Sequence, residues 1–159
     1  MNGSYLALAG RIRRELADLD RVVARAERSV NEAKRTSDEA YVDAAALNMH
    51  SFYGGIERLF ELIASEIDAA PIVSEHWHQE LLRRMTIEIG SVRPGVITPD
   101  TQRLLDEYRG FRHVVRNVYT FNFNPVRVEA LVQQLRPTFT AVEIDLSAFA
   151  NFLEAVGND

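Results

Sequence analysis

Apolar residues fall at helical intervals along most of the chain. Leu8, Ile12, Leu16, Leu19, Val23, Ala26 and Val30 recur at steps of three or four, with arginines and acids between them, and predict an amphipathic helix over about 4–35. Thr36, Ser37 and Asp38 break the pattern and offer an N-cap for the next helix. A second stripe, Ala45, Met49, Phe52, Ile56, Leu59 or Phe60, Ile63 and Ile67, predicts a helix over about 39–69. Gly54 and Gly55 lie inside it. Each costs about 1 kcal/mol against alanine, and such a pair points to close helix packing or a kink. Pro71 ends this helix, and Ser74 with Glu75 starts a third through Trp77, Leu81, Leu82 and Met85.

The stretch from Gly90 to Gly95 reads as a loop. Thr98 is then suited to N-cap, Pro99 to the first helical position, and Asp100 to the positive helix start. The fourth helix is expected over about 99–119. Phe121 to Pro125 forms a turn, and Pro125 opens a last helix that Pro137 is expected to kink or split before it ends near Val156. No segment alternates like a half-buried strand. The fold class is all-α: a single domain over 1–159, built as an antiparallel helical bundle of five to six helices.

Composition narrows the setting. The 159 residues carry 47 % hydrophobic and 26 % charged side chains, the balance of a globular chain with room for a core. No apolar run is long enough to cross a bilayer, and the first ten residues lack the pattern of a secretory leader. Without cysteine there is no disulfide, thiolate metal site or cysteine nucleophile. A cytoplasmic protein without cofactor is the expectation. The net charge of −5 excludes a uniformly basic surface and leaves room for a local basic site.

Such a site is written into the fourth helix. At about 100° per residue, Tyr108, Phe111, Val114, Val115 and Val118 share a core face. Arg109, Arg112, His113 and Arg116 share the opposite one, and no acid lies between Arg109 and Glu129. Like charges at these spacings repel, whereas a guanidinium fork suits phosphate oxygens. The plain alternative is pairing with acids from other segments, such as Glu57, Glu61 or Asp106. Spacing alone does not choose between the two.

Other candidates are weaker. His76 and His78 flank Trp77 and point in different directions from a helix, a poor chelate. With His50 and His113 they make four histidines, as in three-histidine bundles of the DinB type, but no Glu-x-x-His motif supports a metal site. Hydrogen bonding at helix ends and packing seams is the simpler role for them. The arginines of the first helix are interleaved with Glu15, Asp18, Asp20 and Glu27, which makes a solvated or partner-facing surface.

The run from Arg112 to Tyr119 resembles the signature of HepT-like proteins of the HEPN superfamily: arginine, a polar residue, a spacer, histidine, one residue, tyrosine. Arg112 matches the arginine, His113 the polar residue and Tyr119 the tyrosine. Asn117 stands where the catalytic histidine is expected. The resemblance extends to helix order and to the segments Phe52–Arg58 and Trp77–Leu82. It implies a HEPN-like bundle and the toxin component of a toxin–antitoxin pair. The implied chemistry is metal-independent endoribonuclease action: the arginine steadies the scissile phosphate and the histidine moves protons while the 2′-hydroxyl attacks. It further implies a homodimer with the site between protomers, and a minimal nucleotidyltransferase antitoxin that attaches AMP to the motif tyrosine, here Tyr119.

Two points of geometry bear on this. Residues 112 and 117 lie about 140° apart on an ideal helix, so one straight helix cannot aim both at one phosphate. Asparagine is no acid or base near neutral pH, although it can still hold a phosphate by hydrogen bonds. Arg112, Asn117 and His113 are therefore the catalytic candidates, with His113 as a substitute imidazole, and Arg109, Arg112 and Arg116 the RNA- or phosphate-binding ones. The alternative is a non-catalytic helical subunit that binds a nucleotide or docks the nucleotidyltransferase.

Overall fold

The computed structural model describes residues 1–117 and 122–159. The helical stripes translate into α1 (Gly3–Thr36), α2 (Ala40–Leu62), α3 (Trp77–Arg84), α4 (Pro99–Asn117) and α5 (Pro125–Asn158), with α2 prolonged by a π-helical turn, Ile63–Ile67. Among the described residues there is no strand, only one isolated bridge between Ile89 and Arg93. An all-α bundle is what the periodicity predicted.

The helix ends follow the capping residues. The Asp38 carboxylate accepts from the Ala40 N–H at 2.9 Å, the Thr98 hydroxyl from the Thr101 N–H at 3.2 Å, and the Asn124 side chain from the Val126 N–H at 3.0 Å. The third helix begins at Trp77 rather than at Ser74, and its N-cap His76 makes no side-chain cap bond. Pro137 does not split the last helix, which runs unbroken from Pro125 to Asn158. Pro137 and Gln133, whose carbonyl loses its partner, are both exposed, so water can satisfy that oxygen.

α1 packs along both α2 and α5. The Asn2 N–H donates to the Gly157 carbonyl at 2.7 Å, Arg13 pairs with Glu154, and Lys34 pairs with Glu129, so α1 and α5 run antiparallel. The apolar stripe of α1 is buried throughout and joins Met49, Phe52, Tyr53, Ile56 and Phe60 of α2 and Phe139, Leu146 and Phe149 of α5 in one core. α4 closes on that core with Tyr108 and Phe111, and α3 is wedged against α2 and α4 by Leu81 and Leu82.

The glycine pair is an asymmetric packing device. A Cβ on Gly54 would meet only the tip of Arg58, at 3.5 Å. On Gly55 it would come within 2.5 Å of Glu15 Oε1 and 3.1 Å of Leu19 Cδ2, across the α1–α2 seam. The loop after α3 has its own anchor. Arg93 is fully buried and forms a two-pronged pair with Asp68, Nε to Oδ1 at 2.6 Å and Nη2 to Oδ2 at 2.9 Å. Its Nη1 donates to the Ile87 and Pro94 carbonyls. Asp68 caps the π-helical turn, so the pair ties the 85–98 segment to the end of α2.

Two stability measurements test this account. Gly54→Ala should stabilise by up to about 1 kcal/mol through helix propensity, whereas Gly55→Ala should destabilise by about 1–3 kcal/mol through overpacking against Leu19; equal effects in urea denaturation would refute the close approach. Arg93→Met should cost about 3–5 kcal/mol because it strands a buried carboxylate, and adding Asp68→Asn should recover part of the loss.

Candidate functional site

The polar face of α4 opens onto a hollow of about 510 Å³ lined by His78, Arg109, Arg112, His113 and Arg116. Among the described residues no acid lines it. Four of the five come from the α4 stripe that the sequence singled out. The fifth, His78, comes from α3 and was assigned only a packing role by sequence reasoning. Asn117 is the last residue of α4, where the helix ends; its side chain lies outside the described residues, as does the whole of Tyr119.

The acids weighed as partners do reach two of the arginines. Arg109 Nε donates to Asp106 Oδ1 at 2.7 Å on the exposed side of α4. Arg112 Nη1 lies 3.1 Å from Glu57 Oε1. Glu61 instead lines a different hollow, with Arg11, Arg58 and Trp77. Arg116 forms no ion pair among the described residues and lines the hollow as an exposed cation.

Glu57 organises the site. Its side chain is only 4 % exposed, and its two oxygens are divided between two helices. Oε1 faces Arg112, and Oε2 lies 2.7 Å from His78 Nδ1. The Trp77 ring stacks against His78 with centroids 3.6 Å apart. His76, two residues earlier, lines another hollow beside Glu80 and Asp106, so the two histidines flanking Trp77 do diverge. The Nε of Arg112 is buried and has no hydrogen-bond partner among the described residues. The guanidinium thus spends one terminal nitrogen on Glu57 and keeps donor capacity in hand.

His50 on α2 lies within the field of this cluster. Burial, then the charges of Arg112 and Arg116, push its pKa below the ordinary value, while Glu57 opposes them. Burial likewise pushes the Tyr53 phenol up, which keeps it protonated. Neither residue stood out in the sequence. His50 belonged to a scattered set of four histidines, and Tyr53 lay within the Phe52–Arg58 segment without a role of its own. Among the described residues no three His, Cys, Asp or Glu side chains are grouped to hold a metal.

The depressed His50 pKa has a sign that can be tested. Between its folded-state and unfolded-state values the unfolded chain binds more protons, so stability falls as pH drops through about 6.5. Melting temperatures of wild type and His50→Gln should therefore diverge between pH 7.5 and 5.5, with the wild type losing more. Parallel curves would mean that His50 is not held neutral.

No curated protein and no solved structure gives a significant match to the chain. A family model described as "HepT-like protein" matches residues 44–153, from the second turn of α2 to within five residues of the end of α5, and includes every residue lining the basic hollow. The family expectation raised by Arg112, His113 and Tyr119 is met at this level, and the chain belongs to the HepT-like family.

Proposed function

We propose that this chain is the toxin component of a HEPN/nucleotidyltransferase toxin–antitoxin pair, and that it binds and cleaves single-stranded RNA at the hollow on α4. The observation that carries the reading is the acid-free lining of that hollow, with three guanidiniums and two imidazoles converging on one space. Guanidiniums suit phosphate oxygens because their planar fork donates two parallel hydrogen bonds. Arg116, with no carboxylate beside it among the described residues, and Arg112, 20 % exposed at the hollow, are the phosphate ligands; Arg109 is half-neutralised by Asp106 and contributes less.

In this reading the RNA supplies its own nucleophile. The 2′-hydroxyl attacks the adjacent phosphate, and the arginines balance the charge that develops on the phosphoryl oxygens. The working unit is a homodimer, as the family resemblance implies. A minimal nucleotidyltransferase neutralises the protein, with Tyr119 as the AMP acceptor. A second reading, a non-catalytic subunit that holds RNA or nucleotide, is favoured by Asn117 itself, since an amide cannot carry the proton that scission requires.

Labelled single-stranded RNA with EDTA present tests both. Wild type should bind and cleave. Arg116→Ala should weaken binding several-fold and lower the slope of log affinity against log salt by roughly 0.7, the loss of one phosphate contact. Absence of binding would overturn the proposal. Binding without cleavage would select the second reading.

A further inference from the structure

We propose that His78, held by the buried Glu57, is the proton-transferring residue of this hollow and takes the place of the imidazole that position 117 lacks. The inference rests on the RNA-cleavage reading above and names a residue outside the α4 signature.

The argument starts from the carboxylate. A buried Glu57 needs a counter-charge, and Arg112 alone could supply it through both oxygens. Instead Oε2 is turned to His78 Nδ1 at 2.7 Å, and only Oε1 is left for Arg112. An imidazole nitrogen has one in-plane direction in which to hydrogen-bond. At Nδ1 that direction is taken by Glu57, so the Nη1 of Arg112, 3.0 Å from the same atom and a longer 3.5 Å from Nε2, is there because it shares the carboxylate. Glu57 can only accept. Nδ1 therefore carries the proton, and the neutral ring keeps its lone pair on Nε2.

This is the arrangement a general base requires. The tautomer is fixed by a carboxylate, the ring plane is fixed by Trp77, and the side chain is 26 % exposed in a hollow lined by arginines. When Nε2 takes up a proton, Glu57 stabilises the imidazolium. In the cleavage step Nε2 removes the 2′-hydroxyl proton as the O2′–P bond forms and the P–O5′ bond breaks. The proton then passes through solvent to the departing 5′-oxygen. The products are a 2′,3′-cyclic phosphate and a 5′-hydroxyl end, with no net consumption of acid. His78 is the catalytic residue and Glu57 a positioning residue.

The test uses the full chain, single-turnover cleavage of 5′-labelled single-stranded RNA at saturating protein, and parallel binding measurements. His78→Gly should slow cleavage at least about 100-fold, leave the RNA dissociation constant within about twofold of wild type, and regain measurable cleavage on addition of imidazole. His78→Gln, which fills the space, should be equally slow and gain nothing from imidazole. A merely structural role would give no imidazole rescue. If His78→Gly loses RNA binding, His78→Gln decides: cleavage lost with binding kept supports the assignment, and normal cleavage overturns it. Wild-type rates in both variants would remove His78 and leave the nuclease reading intact. A wild type that binds RNA without cleaving it would overturn both.

Discussion

A carboxylate inside a helical bundle has to be answered by charge, and Glu57 sets the arrangement of the α2–α3–α4 corner for that reason. Left unpaired it would cost several kcal/mol. Its position on the face of α2 that also carries Phe52, Ile56 and Phe60 forbids retreat to solvent. The solution draws His78 from α3 and Arg112 from α4 onto one side chain. α3 has only eight residues, too few to persist alone. Burial of Leu81 and Leu82 seats it, and the hydrogen bond to Glu57 orients its first turn. Fold and site are thus one set of interactions here: what lets α2 keep a buried acid is also what lines the hollow.

The two buried arginine–carboxylate pairs show how differently one residue type can be used. Arg93 is wholly buried, and its donors are spread over Asp68 and the carbonyls of Ile87 and Pro94. Nothing is left over, and its work is to hold a loop to the π-helical turn after α2. Arg112 gives one terminal nitrogen to Glu57, keeps a buried Nε without a partner among the described residues, and remains 20 % exposed. An arginine meant only to neutralise Glu57 would resemble Arg93. Arg112 instead keeps part of its guanidinium open to the hollow, while its Nε is buried out of a ligand's reach.

The sequence made the helices legible because each buries one stripe, and a stripe is a local property. The expected helices over about 4–35 and 39–69 match α1, Gly3–Thr36, and α2 taken together with its π-helical turn, which ends at Ile67. The π-helical turn at Ile63–Ile67 was invisible, since Ile63 and Ile67 keep the apolar spacing while the hydrogen bonding changes beneath them. Of the two outcomes expected at Pro137, a split does not occur, because the freed carbonyl can reach water. The basic stripe of α4 was readable from Arg109, Arg112, His113 and Arg116 alone. Glu57 was readable only as one of three acids that could pair with that stripe, and His78 not as part of the site. Periodicity tells which way a side chain faces on its own helix, and these two meet across 21 residues of chain. His78 looked like any packing histidine until the carboxylate behind it was in view.

The negative net charge, which argues against a nucleic-acid partner when taken whole, changes meaning once its distribution is known. Glu154, Asp20, Glu27 and Glu129 are engaged along the α1–α5 seam with Arg13, Arg136 and Lys34. Those pairs lie in solvent and contribute little to stability, but they place carboxylates beside the cations of that seam. On α4 the run from Arg109 to Asn117 contains no acid; Asp106 answers Arg109 from the exposed side, and Glu57 is buried against His78 and Arg112. Along α1 eight cations are interleaved with five acids, whereas Arg116 on α4 has no ion-pair partner among the described residues, so the charge left unanswered there is local. A net charge of −5 is therefore compatible with a local basic site, and the hollow on α4 is such a site.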